Sequence, residues 1–97
     1  MATFIVLIDF TDQGMRGIED SPQRATAFRQ AAGRAGVTVR EVYWTLGGHD
    51  GVLILEAPDD VSVAAALVAL GRLGNVRTHA LRAFGPDEVQ SILAKVV

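Results

Sequence analysis

The chain has 97 residues, enough to close one modest core, so residues 1–97 read as one domain. It is 49% hydrophobic and 21% charged, which excludes disorder, and nine Lys and Arg against eleven Asp and Glu leave a net charge of −2 that gives nucleic acid and anionic lipid no long-range attraction. Cysteine is absent, which removes disulfides, thiolate metal sites and thiol catalysis; no apolar run approaches the roughly 20 residues that span a bilayer.

Met1-Ala2-Thr3 carries no basic, apolar, small-residue signal pattern, so a cytoplasmic location is expected. TFIVLIDF, Thr3 to Phe10, is β-branched and aromatic and too short for a typical helix; it predicts a strand buried on both faces. Thr11 is placed to cap a loose helical turn weakened by Gly14 and Gly17. Ser21-Pro22 starts a firmer helix, with Ser21 as the cap, and its apolar positions Ala25, Phe28, Ala31, Ala32 and Ala35 recur at helical spacing until Gly36. VTVREVYWTL, Val37 to Leu46, and GVLILEA, Gly51 to Ala57, predict the second and third strands, with GGHD as the turn between them. Asp59 or Asp60 caps a second apolar helix that Gly74 ends; Asn75 to Phe84 reads as an edge strand, and Asp87 onward as a terminal helix.

The order βαββαβ plus a C-terminal helix predicts a ferredoxin-like α+β fold: a four-stranded antiparallel sheet with both main helices on one face. Alternation assigns Phe4, Val6, Ile8, Val42, Trp44, Leu46, Leu53 and Leu55 to the helix side. Ile5, Leu7, Asp9, Glu41, Tyr43, Thr45, Val52, Ile54 and Glu56 then fall on the open side. The centre of that open side is apolar, which predicts self-association sheet against sheet; burying Ile5, Leu7, Val52 and Ile54 is worth roughly 6 to 12 kcal/mol before the costs of association. The alternative is that the terminal helix folds over this face.

Read together, the segments FTDQG, SPQRA, VYWTLGGHD, EAPDD and GNVRTHALRAF resemble the GYD family of small bacterial proteins over nearly the whole chain. The resemblance implies a ferredoxin-like fold with dimeric α/β-barrel association, among relatives that include small-molecule-sensing effector domains and cofactor-independent monooxygenases. It implies no particular reaction and no cofactor. The triplet that names the family reads Gly48-His49-Asp50 here, so a role for the tyrosine hydroxyl does not carry over to His49.

Chemistry is expected at carboxylates on the open side. With Gly47, Gly48, His49 and Asp50 closing the hairpin, Leu46 falls opposite Gly51 and Glu41 opposite Glu56, where two carboxylates about 6 Å apart repel by on the order of 2 to 3 kcal/mol. Strand three beside strand one, read as parallel, brings Asp9 to the same end, and His79 approaches from strand four. Asp9, Glu41, Glu56 and His79, with Tyr43 beside them, are the candidate ligand-binding residues, for a divalent metal, a cationic ligand or acid/base work. The plainer reading, preferred to that one, is that Arg40, Arg77 or Arg82 of this or another subunit pairs the acids, or that they stay solvated at the sheet rim. His49 is expected at the far end of strand one from His79, roughly 25 Å away, which argues against a two-histidine site. The function expected is a homo-oligomeric module that binds a small molecule or serves assembly; the alternative is a cofactor-independent enzyme acting on an apolar substrate held between sheet and helices. A transcriptional effector would need a DNA-binding domain in addition.

Overall fold

The computed structural model describes residues 1–97. Four strands, β1 (Ala2–Phe10), β2 (Thr38–Trp44), β3 (Gly51–Ala57) and β4 (Val76–Ala83), form one sheet in the order β2-β3-β1-β4, antiparallel throughout. The helices are α1 (Asp12–Arg16), α2 (Ser21–Arg34), α3 (Asp60–Gly71) and α4 (Pro86–Leu93), with a 3₁₀ turn at Ile18–Asp20. The ferredoxin-like expectation holds. No helix is long and apolar enough to cross a membrane.

Local chemistry sets the boundaries. The Thr11 side chain accepts the Gly14 N–H at 3.1 Å and starts α1, while its hydroxyl donates to the Gly74 carbonyl, so a single cap also ties down the approach to β4. Asp59 Oδ1 accepts the Ser62 N–H at 2.8 Å and starts α3; this bond to its charged form holds the Asp59 carboxyl below its ordinary range. Ser21 is not a cap: it is the first residue of α2, and its hydroxyl faces β2 instead.

The faces divide as the alternation predicts. Phe4, Val6 and Ile8 of β1 and Leu53, Leu55 and Ala57 of β3 are buried under Phe28 and Ala32 of α2 and Val63 and Ala66 of α3. One member of the expected set departs: β2 stops at Trp44, so Leu46 lies in the loop and is fully exposed at 103%. Within β2 the register shifts between Val39 and Glu41, leaving Arg40 as a bulged residue. The bulge lets both Val39 and Val42 face the helices, although simple alternation forbids that pairing.

The helix α4 does not cover the open side. None of its residues is buried, it makes no substantial packing contact with another element, and the molecule is elongated at 50 × 31 × 18 Å. Its first turn is held by Arg82, whose Nη2 donates to Glu88 Oε2 at 2.8 Å while the guanidinium lies 4.4 Å from the Phe84 ring centre. That bond keeps the Glu88 carboxyl below its ordinary range.

Two helical glycines have opposite surroundings. A Cβ on Gly14 would lie 2.0 Å from the Asn75 carbonyl oxygen, whereas one on Gly33 would meet nothing within 4 Å. Gly33→Ala is therefore expected to stabilise the protein by about 0.5 to 1 kcal/mol through helix propensity. Gly14→Ala is expected to destabilise it despite the same propensity gain, because α1 is forced off β4. Urea unfolding of the two variants checks the sign; stabilisation by both would refute the close approach.

Candidate functional site

Two places carry polar chemistry, one on each side of the sheet. On the open side, residues in register share a face, which gives one row of Tyr43, Val52, Leu7 and His79 and a second of Glu41, Ile54, Ile5 and Leu81. Tyr43 and Leu81 are each more than half exposed, and Ile5, Leu7, Val52 and Ile54 are partly so. An apolar strip therefore runs across the sheet with polar groups at its ends.

The expected carboxylate cluster does not form. Because β1 and β3 are antiparallel, Asp9 lies beyond Ile8 and Gly51 at one end of the sheet, while Glu56 pairs with Thr3 at the other. Glu41 and Glu56 do share the open face, but Glu41 lies opposite Ile54 rather than Glu56. The difference is a two-residue slip: the loop spans Thr45 to Asp50, and Trp44, not Leu46, meets Gly51. Each acid has its own partner. The Arg40 guanidinium donates to Glu56, and Tyr43 Oη donates to Glu41 Oε2 at 3.2 Å. Asp9, Glu41, Glu56 and His79 are thus not gathered at one place, and no group of three His, Cys, Asp or Glu side chains is arranged to hold a metal ion.

The antiparallel pairing also reverses the position of the loop. The backbone N–H of Asp50 donates to the Ile8 carbonyl at 2.8 Å, and Asp50 Oδ2 accepts the Phe10 N–H at 2.9 Å. These two bonds clip the hairpin loop to the end of β1. His49 is thereby carried to Asp9 and His79, against the expectation that it sits far from both. Asp9 Oδ1 lies 3.0 Å from His49 Nδ1 and Oδ2 lies 3.0 Å from His79 Nε2, with the two rings 5.9 Å apart. A carboxylate accepts, so each facing ring nitrogen carries the proton and the other nitrogen of each ring is left free. Gly47, with φ +122°, supplies the left-handed backbone in this loop.

On the helix side, α2 and α3 stand apart and leave a groove of about 460 Å³ over the sheet. Its walls are largely alanine, including Ala25, Ala31, Ala65 and Ala69, and its floor includes Ile8 and Leu53. At one end Trp44 Nε1 donates to Ser21 Oγ at 2.9 Å, and Arg24 lies on the same face of α2 one turn further on. Sequence reasoning placed an apolar site between sheet and helices only in its alternative reading, and did not name Ser21, Arg24 or the alanines as its lining. The available signal was the run of alanines on both helices, Ala25, Ala31, Ala32, Ala65, Ala66 and Ala69, side chains too short to fill the space between two helices and a sheet.

The match to known proteins is consistent with this architecture. The GYD domain model matches residues 4–93. The chain belongs to the GYD domain family. It is 39% identical over 84 residues to the glutamine synthetase and cystathionine beta-lyase binding protein of Thermus thermophilus, covering 86% of this chain and 88% of that one. The crystal structure of TTHA0845 from Thermus thermophilus superposes with a TM-score of 0.57 at 26% identity, covering 88% and 95% of the two chains. The feast or famine regulatory protein of M. tuberculosis, solved with L-methionine, superposes with a TM-score of 0.67 at 19% identity, over 88% of this chain; this GYD chain spans about half, 51%, of that regulator's length and shares its fold. In the family triplet, the aspartate at position 50 is the loop clip and His49 takes the tyrosine position beside Asp9.

Loss of the clip is measurable. Asp50→Ala leaves the Phe10 N–H without its partner and is expected to cost roughly 1 to 3 kcal/mol in urea unfolding. Unchanged stability would mean that the loop is held elsewhere. The Tyr43 hydroxyl provides a second check. Its bond to Glu41, and then the charge of that acid, raise the phenol above its ordinary range, so this contribution is present below the unfolded-state value and is lost as pH rises through the folded one. Tyr43 is the sole tyrosine, so phenolate absorbance titrates it alone; Glu41→Gln is expected to shift that titration to lower pH, and an unshifted curve would show that the pair does not form.

Proposed function

We propose that this protein is a binding module that self-associates through the open face of its sheet and holds a small molecule in the groove on the opposite side. One observation carries the first half: the strip Ile5, Leu7, Val52, Ile54 and Leu81 lies uncovered, with α4 elsewhere. A contiguous apolar strip at a sheet centre marks an interaction surface, and a second copy offers it a self-complementary partner through a two-fold axis. This association is of the dimeric α/β-barrel type. Tyr43, Glu41 and the Asp9, His49, His79 cluster then lie at the rim of the interface, where polar groups are tolerated.

The groove supports the second half. A cavity of about 460 Å³ with apolar walls and a few polar groups at one end is of ligand-site size. The binding function named for the 39% identical Thermus thermophilus protein supports a binding role over a catalytic one. An acid/base enzyme is the second reading, favoured by the two histidines that Asp9 orients. That cluster faces the open side, away from the residues that line the groove, so it lacks a cavity in which to act within one subunit.

Native mass spectrometry tests the association. The wild-type protein is expected as a multiple-subunit species and Ile54→Lys as a monomer with unchanged circular dichroism. A monomeric wild-type protein, or an Ile54→Lys variant that still assembles, would overturn the sheet-to-sheet reading.

A further inference from the structure

The groove between α2 and α3 has a polar character that its alanine walls conceal. Asp50 and Asn75 line it, but each has an oxygen already engaged: Asp50 Oδ2 takes the Phe10 N–H, and Asn75 Oδ1 takes the Gln13 Nε2–H at 3.0 Å. The donors are in the opposite condition. Ser21 is 7% exposed, its oxygen is fixed by Trp44 Nε1, and its hydroxyl proton goes to no acceptor. Arg24 is half-buried, spends one N–H on the Gly14 carbonyl at 3.2 Å, and forms no ion pair. Its remaining guanidinium hydrogens are unclaimed.

Ser21 and Arg24 stand three residues apart on α2, so they present their donors on one helix face at one end of the groove. A second arginine, Arg34, lines the groove ten residues further along α2, roughly 15 Å away. A small ligand reaches one of the two. Arg24 is half-buried and Arg34 exposed, and a guanidinium partly removed from water interacts more strongly with an anion than one on the surface.

We propose that this groove binds an amphipathic monocarboxylate: a carboxylate held by Arg24 and Ser21, and an apolar body of about ten carbons lying along the alanine walls. A flat or linear body suits walls in which alanine predominates, with Leu70 and Leu73 as the branched side chains beside it. A polyanion does not suit a site with one half-buried cation. Asp50 also lines the groove with Oδ2 spent on the Phe10 N–H, so a zwitterion is the competitor that the test must separate from a monocarboxylate. The inference rests on the reading of the groove as a ligand site and adds the chemical class of the ligand. It is independent of self-association, since the groove and the open face lie on opposite sides of the sheet.

Trp44 is the single tryptophan and lines the groove, so its fluorescence reports occupancy directly. Titration with decanoate below its micelle concentration is expected to give a saturable change, with decanol and leucine each binding at least about tenfold more weakly. Arg24→Gln is expected to weaken decanoate about tenfold or more while leaving decanol unchanged. Ala69→Phe, at an exposed wall position, is expected to weaken both decanoate and decanol with the circular dichroism intact. Equal binding of decanoate and decanol, or an Arg24→Gln variant that binds decanoate normally, would overturn the monocarboxylate while leaving a ligand groove. A response to leucine alone would assign a zwitterion and also overturn it. No saturable response to any of the three would overturn the groove reading itself. Ile54→Lys is expected to bind decanoate like the wild type, which keeps this outcome separate from the state of assembly.

Discussion

The pairing of β1 with β3 ends in a side chain rather than in backbone. After Ile8 meets Gly51, the Asp50 N–H still donates to the Ile8 carbonyl, and the Asp50 carboxylate then accepts the Phe10 N–H that a further β3 residue would have taken. The loop from Thr45 to Asp50 is thereby folded back on the end of β1 instead of standing free. A buried or half-buried backbone N–H must find an acceptor, and here the acceptor is charged and reaches across 40 residues of sequence. Three other features follow from that constraint: His49 sits beside Asp9, Trp44 ends β2 where it can reach Ser21, and the groove is bounded at this end by Asp50 and Gly51.

The bulge at Arg40 has a comparable reach on the other edge of β3. It lets Val39 and Val42 both enter the core, and it places Glu41 and Tyr43 together on the open face, where the phenol donates to the acid. It also sends the Arg40 guanidinium to Glu56. Two carboxylates on one sheet face would repel if nothing intervened; each instead has a different donor, and the Arg40 guanidinium offsets the charge of Glu56. Adjacent residues of β2 thus serve the two sides of the sheet, Trp44 the groove and Tyr43 the open face.

Element types and faces were legible in the residues because periodicity is a local signal. Phe4, Val6, Ile8, Leu53 and Leu55 are where alternation puts them, and Thr11 and Asp59 cap the helices they precede. What failed was relational. Taking β1 and β3 as parallel moved Asp9 to the wrong end, joined it to Glu56, and separated His49 from His79; one directional error produced all three misplacements. In a split βαβ arrangement the strand inserted between two parallel ones must run against both, so the direction was available from topology even though no residue states it. The slip at the hairpin is different in kind. A loop of six residues, Thr45 to Asp50, is set by the clip on Phe10, a long-range bond that turn propensities do not encode. Ser21 illustrates the same limit, since a serine before proline has the chemistry of a cap and is used here to hold Trp44.

The alanine walls of the groove carry an energetic implication. Two helices over a sheet in a chain of 97 residues ordinarily close their interface with larger side chains, because each unfilled gap forfeits dispersion contacts that a small core can ill spare. Phe28 is the one large side chain that α2 sends into the core, and Ala32, Ala66 and Val63 complete the layer around it. The native state therefore carries an open apolar volume beside its core, and whatever occupies that volume binds the folded chain and not the unfolded one. A ligand held there would raise the stability of the fold by RT ln(1 + [L]/Kd). The same reasoning separates the two faces: filling the groove stabilises one subunit, whereas covering the open strip makes stability depend on protein concentration.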